Sequence, residues 1–278
     1  MRASLRTRNF KSIALFAAVA FALGFLALGF TPRAHAAGSS YWTNTVKVGV
    51  GHFAYGETAG DSNSGTAYTI TDRLNYHNGL FLGTLRAMGG YVPANYTDGS
   101  VTGNVHYSLN DFSAGAGADV RMLNGYMQNQ IYVSLGQFTN SFMAGNSSFT
   151  GGVTGYDEYY TVDYLGLTYK NVYAFTPRLS NVLKLNYLYG LNGTATSKGY
   201  EFFDAGYQIP NIQNDLSGEH GYGIAEGARY RLTDNLSLVG DVYYSALFYK
   251  SSNTAFAFYE PSSMTHQYGL QVGVRVAF

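Results

Sequence analysis

The last twelve residues of the chain alternate strictly between two kinds of side chain. One set is apolar: Tyr268, Leu270, Val272, Val274, Val276 and Phe278. The residues between them are small or polar: Gln267, Gly269, Gln271, Gly273, Arg275 and Ala277. Successive side chains of a β-strand point to opposite faces of the sheet. The alternation therefore predicts a strand with one apolar and one polar face.

The same period of two recurs through most of the chain, in segments separated by turn-forming residues. Beyond residue 36 no apolar run reaches the length of a membrane-spanning helix. The alternation predicts ten strands, which cover residues 43–56, 67–77, 80–91, 113–123, 130–138, 159–175, 182–191, 222–232, 236–250 and 265–278.

The connections between these segments alternate in length. Asn78-Gly79 and Thr233-Asp234-Asn235 form tight turns, whereas 140–155 and 192–221 are long and rich in Gly, Ser, Asn and Thr. This asymmetry is typical of outer-membrane barrels. We predict an all-β fold, an antiparallel transmembrane up-and-down β-barrel of ten strands with both ends on the periplasmic side. Eight or twelve strands are the alternatives, twelve if 101–109 pairs separately.

Residues 1–36 follow the order of a secretory signal peptide. Basic residues at 2, 6, 8 and 11 precede an apolar run at 13–30, and Ala34-His35-Ala36 is a small-x-small cleavage site. The pattern predicts export through the inner membrane and cleavage after Ala36, which leaves 37–278 as the barrel domain. A retained anchor is the alternative, because the apolar run approaches the length of a spanning helix.

The composition excludes several classes of protein. Charged residues make up 12% of the chain and aromatic residues 16%, which is unlike a disordered segment. Cysteine is absent, so disulfide scaffolds and cysteine-ligated metal sites are excluded. The leader holds five of the 17 basic residues and none of the 17 acidic ones, so residues 37–278 carry a formal charge of −5. We expect no nucleic-acid partner, no metal and no cofactor.

The chain resembles bacterial outer-membrane β-barrel proteins. The resemblance rests on the leader, the alternating strands, the unequal loops and the last strand, which runs from Tyr268 to a terminal Phe278. It implies an integral protein of a Gram-negative outer membrane, in contact with its lipid and lipopolysaccharide. It also implies that Tyr268 and Phe278 form the signal read by the barrel-assembly machinery.

The predicted inward face is basic. Alternation places nine bases and two acids there: Lys47, Arg73, Arg86, Arg121, Lys170, Lys184, Arg229, Arg231, Arg275, Asp119 and Asp241. Rings of Arg and Lys favour anions in pores. The main functional prediction is a passive, porin-like channel for small solutes with an anion-favouring lumen. The alternative is a closed network, in which Asp119 pairs near Arg121 and Asp241 pairs with Arg229 or Arg231.

Two groups of acids lie elsewhere. Ten lie in the predicted loops, which favours a second hypothesis, a closed barrel acting as a surface adhesion or interaction protein. Asp72, Asp163 and Glu226 fall on the nominally lipid-facing side. A β-bulge that shifts the register would explain them, and a subunit interface is the alternative. The oligomeric state is left open.

Aromatic and histidine side chains fit a membrane interface. Tyr41, Trp42, Tyr173, Phe175, Tyr230 and Phe278 predict an aromatic girdle at the periplasmic rim. His52, His77 and His266 have no companions at metal-ligand spacing and are interpreted as interfacial or loop residues.

A hydrolase is the third hypothesis. His106 and Ser108 share a face of an extended segment, and a serine nucleophile needs an adjacent base with its own orienting partner. Glu219-His220 is similar to the acid–histidine pairs of omptin proteases, but the chain contains no Asp-x-Asp sequence. We therefore predict that the protein is not an enzyme.

Overall fold

The computed structural model describes residues 40–123, 126–144, 149–150, 157–198, 212–216, 218–254 and 259–278, and the backbone of 201–202 and 207–208. The predicted leader, 1–36, lies outside these ranges. The described residues form ten long strands and three short ones: β1 Tyr41–Glu57, β2 Ser62–Asn78, β3 Phe81–Asp98, β4 Val101–Met122, β5 Met127–Met143, β6 Asp157–Ala174, β7 Leu179–Lys198, β8 Glu201–Phe202, β9 Tyr207–Gln208, β10 Ile212–Leu216, β11 His220–Arg231, β12 Leu236–Tyr249 and β13 Ser263–Ala277.

The ten long strands close into an antiparallel barrel. Each pairs with its neighbours in chain order, and β1 pairs with β13 from Thr43↔Ala277 to Glu57↔Ser263. The prediction of ten strands is confirmed. The twelve-strand alternative is wrong, because 101–109 is the first half of β4, a strand of 22 residues that continues without a turn.

The two ends of the barrel differ. At one end, called here the turn end, strands are joined within a few residues, as at Gly79-Leu80 and 232–235. At the other, the loop end, the connections include 144–156, 199–219 and 250–262. Strands β1 to β4 run past their predicted limits here, so only residues 58–61 and 99–100 connect them.

An apolar belt surrounds the turn half of the barrel. Exposed aromatic side chains mark its two rims: Trp42, Phe81, Tyr173 and Tyr230 near the turn end, and Tyr68, Tyr91, Tyr189, Tyr222 and Tyr268 toward the loop end. Tyr68 pairs with Val50 and Tyr268 with His52, so the belt spans about nine to eleven residues of β1, counted from Trp42. That distance matches a membrane-spanning strand. No helix in the described ranges is long and apolar enough to cross a bilayer.

Candidate functional site: a basic chamber beneath an aromatic plug

Inward side chains of the loop half fill the barrel. Phe53 is fully buried and Tyr107 is 2% exposed, with ring centroids 4.8 Å apart. Tyr107 also packs on Phe142, at 5.4 Å. The other members of this cluster are Tyr55, Ala67, Val92, Ala94, Val105, Leu109, Ala144 and Phe149. A second cluster contains Tyr160, Val162, Tyr164, Ala195, Leu216 and Tyr249. We call the two clusters together the aromatic plug.

A tyrosine pair joins the two clusters across the barrel. Tyr55 lies on β1 and Tyr160 on β6, five strands away around the ring, yet their hydroxyl oxygens are 3.2 Å apart. Tyr249 of β12 packs on Tyr160 at a centroid distance of 5.6 Å. Side chains from three parts of the wall therefore meet near the barrel axis, and the lumen is occupied at this level.

Acids cover the loop side of the plug. The Tyr55 hydroxyl donates to Glu57 at 2.7 Å, and the Tyr160 hydroxyl lies within hydrogen-bond distance of Glu158 and Glu260, at 2.7 and 3.0 Å. In the loop between β1 and β2, Asp61 accepts a bond from Tyr96 at 3.0 Å. Burial, and then the charge of Asp98, raise the pKa of Asp61 although the Tyr96 bond opposes them.

Below the plug lies a cavity of about 320 Å³, which we call the basic chamber. Its wall carries seven bases: Lys47, Arg73, Arg86, Lys170, Lys184, Arg229 and Arg275. The acids on the same wall are Asp111 and Asp241. Gly221 and Gly223 of β11 are inward glycines on the same wall. A Cβ atom at Gly227 would lie 1.9 Å from the Gly240 carbonyl oxygen, so no side chain fits there.

Two of the seven bases have a carboxylate partner. Lys47 forms an ion pair with Asp241, and Arg86 forms one with Asp111. The Tyr164 hydroxyl donates to Asp111 at 2.8 Å. Arg73 donates to the Tyr132 hydroxyl at 2.8 Å. Within the described ranges, Arg73, Lys170, Lys184, Arg229 and Arg275 form no ion pair.

The strand register places like charges opposite each other. Arg73 of β2 pairs with Arg86 of β3, and Lys170 of β6 pairs with Lys184 of β7. All four side chains line the chamber. Like charges directly opposite on one face destabilise a sheet. The positive charge is therefore concentrated on two parts of the wall, and among these four bases of the described residues Arg86 alone has a carboxylate partner.

A polar cluster of His77, Asp119, Gln128, Gln130 and Tyr41, called here the floor, lies inside the turn end. His77 Nδ1 lies 2.7 Å from Asp119 Oδ2, and each residue is 3% exposed. Gln128 and Gln130 donate to the same carboxylate. The Tyr41 ring stacks on His77 at 4.5 Å. The predictions that His77 is interfacial and that Tyr41 belongs to the girdle are therefore wrong, because both face the interior.

The predicted lumen residues divide into two sets. Eight line the chamber: Lys47, Arg73, Arg86, Lys170, Lys184, Arg229, Arg275 and Asp241. Asp119 lies in the floor, and Arg121 and Arg231 are exposed at the turn-end rim. Arg121 donates to the Tyr41 hydroxyl at 2.6 Å, and Arg231 donates to the Pro177 carbonyl. The predicted pairings were wrong, since Asp119 bonds to His77 and Asp241 to Lys47.

The three outward acids lie on the outer surface, each beside an outward amide of a neighbouring strand. Asn44 donates to Asp72 at 2.8 Å, Gln137 to Asp163 at 2.8 Å, and Asn181 to Glu226 at 3.2 Å. The bulge explanation is wrong for Asp72 and Glu226, because the register of their strands is continuous. A register shift does occur between β6 and β7 beside Asp163, and the extra residue is on β7.

The predicted assembly signal is on the outer wall of the last strand. Tyr268 is exposed at the loop-side rim of the belt, and Phe278 exchanges backbone hydrogen bonds with Trp42 at 2.8 and 3.0 Å. Those bonds bring the end of the chain against the start of β1. Recognition by the assembly machinery stays a prediction.

The candidate hydrolase residues do not form a catalytic arrangement. His106 and Ser108 share the outward face of β4, but within the described part of the chain no hydrogen bond joins them. Asn110 instead donates to the Ser108 hydroxyl at 3.4 Å. Glu219 is buried, whereas His220 stacks on Phe248 at 4.9 Å on the outer face. No cluster of three His, Asp or Glu side chains in the described residues is arranged to hold a metal.

Comparison with known proteins gives a likeness in fold. The outer-membrane protease OmpT of Escherichia coli superposes with a TM-score of 0.64 over 86% of this chain and 97% of its own, at 12% identity. The chain has the fold of a bacterial outer-membrane β-barrel. The translocator domain of the autotransporter NalP from Neisseria meningitidis overlaps more loosely, with a TM-score of 0.43 at 14% identity over 96% of this chain and 98% of its own. No family profile and no curated protein matches this barrel by sequence.

Proposed function

We propose that the protein is an integral outer-membrane barrel whose lumen is closed at rest, and that it acts at the cell surface through its loop end. The observation that carries the proposal is the contact between Tyr55 and Tyr160, 3.2 Å apart across the barrel. A passive pore needs a continuous solvent path, and the side chains at this level are almost fully buried. The outer-membrane location draws support from the belt and the fold.

Charge separation supports a role for the loop end. Beyond the belt, six acids of the described residues are at least partly exposed: Glu57, Asp61, Asp98, Asp157, Asp215 and Glu260. The bases there are Lys198 and Lys250. A surface of one sign attracts partners of the opposite sign and raises their rate of association. The proposed partner is therefore cationic, and we propose no catalytic role.

Conductance of the refolded protein in a planar bilayer tests the closed state. Wild type is expected to give no steps, whereas a Tyr55→Ala, Tyr160→Ala double variant is expected to conduct because both rings leave the axis. Tyr259→Ala is the control, since Tyr259 is exposed in a loop. Regular steps from wild type, of the size that the double variant gives, would show an open pore and sink the proposal.

An anion channel is the second candidate function, and the basic chamber favours it. If the plug moves aside, the chamber wall would set charge preference. The double variant under a salt gradient is then expected to show a reversal potential that favours anions. Arg229→Glu is expected to abolish that preference, and Arg121→Glu, outside the chamber, to preserve it. Equal loss in both variants would exclude the chamber as the source of selectivity.

A further inference from the structure

We propose that the basic chamber binds a small multivalent oxyanion of the phosphate or sulfate class. The proposed site is the space below the plug, and the charges on its wall are the same whether or not the barrel conducts.

The first step is the charge of the wall. Seven bases and two acids line the chamber, which leaves an excess of five positive charges if all are ionised. A buried charge without a partner is costly unless an opposite charge is brought to it. Asp111 and Asp241 are already engaged with Arg86 and Lys47.

The bases also converge on one space in the lumen. Lys170 and Lys184 line the same cavity as Lys47, Arg73, Arg86, Arg229 and Arg275. These residues come from β1, β2, β3, β6, β7, β11 and β13, so the charges surround one space rather than lying along one strand. A single anion in that space would lie within reach of several of them.

The third step is the match of ligand to wall. A guanidinium presents a planar fork of donors that fits phosphate and carboxylate oxygens, and a lysine adds a compact charge. Four arginines and three lysines line the chamber. Its volume, about 320 Å³, is at the lower end of small-molecule sites. A multivalent oxyanion neutralises more of this charge than chloride does, and it uses more of the donors.

The strand register also favours a bound anion in the chamber. The Arg73–Arg86 and Lys170–Lys184 pairs each place like charges opposite each other. Both arrangements disfavour the empty barrel, and both become favourable around a shared anion. Lipid phosphates lie outside the wall, so the proposed source is the free anion.

The test uses the complete mature protein refolded in lipid-free detergent. Its thermal unfolding midpoint is measured against inorganic phosphate and against chloride at equal ionic strength. We expect phosphate to raise the midpoint saturably and chloride to leave it nearly unchanged, because a ligand that binds only the folded state stabilises it. Titration calorimetry with phosphate is expected to give one site per barrel. Equal midpoints in the two salts, with no heat of binding, would overturn the proposal.

Matched variants locate the site. Lys170→Gln with Lys184→Gln is expected to abolish the response to phosphate and to raise the midpoint in phosphate-free buffer, where the repulsion is relieved. Lys198→Gln with Lys250→Gln removes the same charge outside the chamber and is expected to keep the response. Loss of the response in the control pair would show bulk screening instead. If the first pair does not fold, Arg275→Lys, which keeps the charge and loses the fork, is expected to weaken binding.

A final arm separates the two sources of phosphate. Lipopolysaccharide added to the same detergent sample is expected to leave the response to free phosphate unchanged. A rise of the midpoint with lipopolysaccharide alone, and none with inorganic phosphate, would place the phosphate site on the outer wall and overturn the chamber as the site.

Discussion

The two halves of this lumen are enclosed by the same ten strands but are filled in opposite ways. In the loop half, Phe53, Tyr55, Tyr107 and Tyr160 meet near the axis and exclude solvent. In the turn half, a cavity remains whose wall is charged. Backbone pairing runs unbroken from one half to the other along β1. The difference therefore lies in the inward side chains and in Phe149 and Leu216, which the loop-end connections add to the plug.

The loop half and the turn half also contribute differently to the stability of the barrel. Apolar burial stabilises the loop half by roughly 1.5–3 kcal/mol for each large side chain removed from water. The turn half buries like charges that oppose folding. We infer that the plug stabilises the barrel and that the chamber is retained for what it binds.

The largest expected effect comes from the plug. Phe53→Ala is expected to destabilise the barrel by about 3–5 kcal/mol, because a fully buried ring leaves a cavity against Tyr107. Urea unfolding of the refolded protein, followed by its heat-modifiable shift on gels, measures the change. Tyr259→Ala is the control. If Phe53→Ala lowered the free energy of unfolding no more than Tyr259→Ala does, the plug would not stabilise the barrel.

Two substitutions in the chamber are expected to change the free energy of unfolding in opposite directions. Asp241→Asn removes the partner of Lys47 and adds to an existing positive excess. We expect a loss of roughly 2–3 kcal/mol in phosphate-free buffer, below the usual figure for a buried pair because the two side chains are 24% and 13% exposed. Lys184→Gln in the same buffer is expected to stabilise. The free energies of unfolding of the two variants decide the matter. If both changes destabilised equally, uncompensated positive charge in the chamber would be ruled out.

Sequence alternation predicted the ten strands and the inward face, because a period of two assigns a face to every residue. It placed Lys47 and Tyr55 on the same face but could not show what each meets across the barrel. The meeting of Tyr55 with Tyr160 depends on the stagger of strands five apart in the ring, which no local pattern contains. The His77–Asp119 floor was missed for the same reason. The sequence showed that His77 and Asp119 both face inward, but it did not show the distance between them.

The hydrogen bonds between the outward acids and their amide partners can be tested by substitution. Asn44→Leu leaves Asp72 on the outer surface without its amide partner, and we expect a loss of about 1 kcal/mol. The double variant with Asp72→Leu is expected to recover it, because both polar groups are then replaced. Unfolding in lipid vesicles measures both. If the double variant remained as unstable as the single one, a packing role for Asn44 would replace the paired-amide explanation.

The smallest effect is at the loop end, where like charges crowd outside the belt. Asp61 has a raised pKa, caused first by burial, so its ionisation weakens the folded state as the pH rises from its usual value through the raised one. Below both values the carboxyl is neutral in the folded and the unfolded chain, and the penalty vanishes.

Asp61→Asn is therefore expected to stabilise the barrel by a few tenths of a kcal/mol at neutral pH, since the side chain is half exposed, and by nothing in strong acid. Midpoints of urea unfolding across this pH range measure the difference, with the exposed turn residue Asp234→Asn as control. A gain that persisted unchanged in acid would point to the Tyr96 hydrogen bond rather than to charge. The acidic loop end would then resemble the plug beneath it, held by packing and hydrogen bonds, and the contrast in electrostatics would be confined to the chamber.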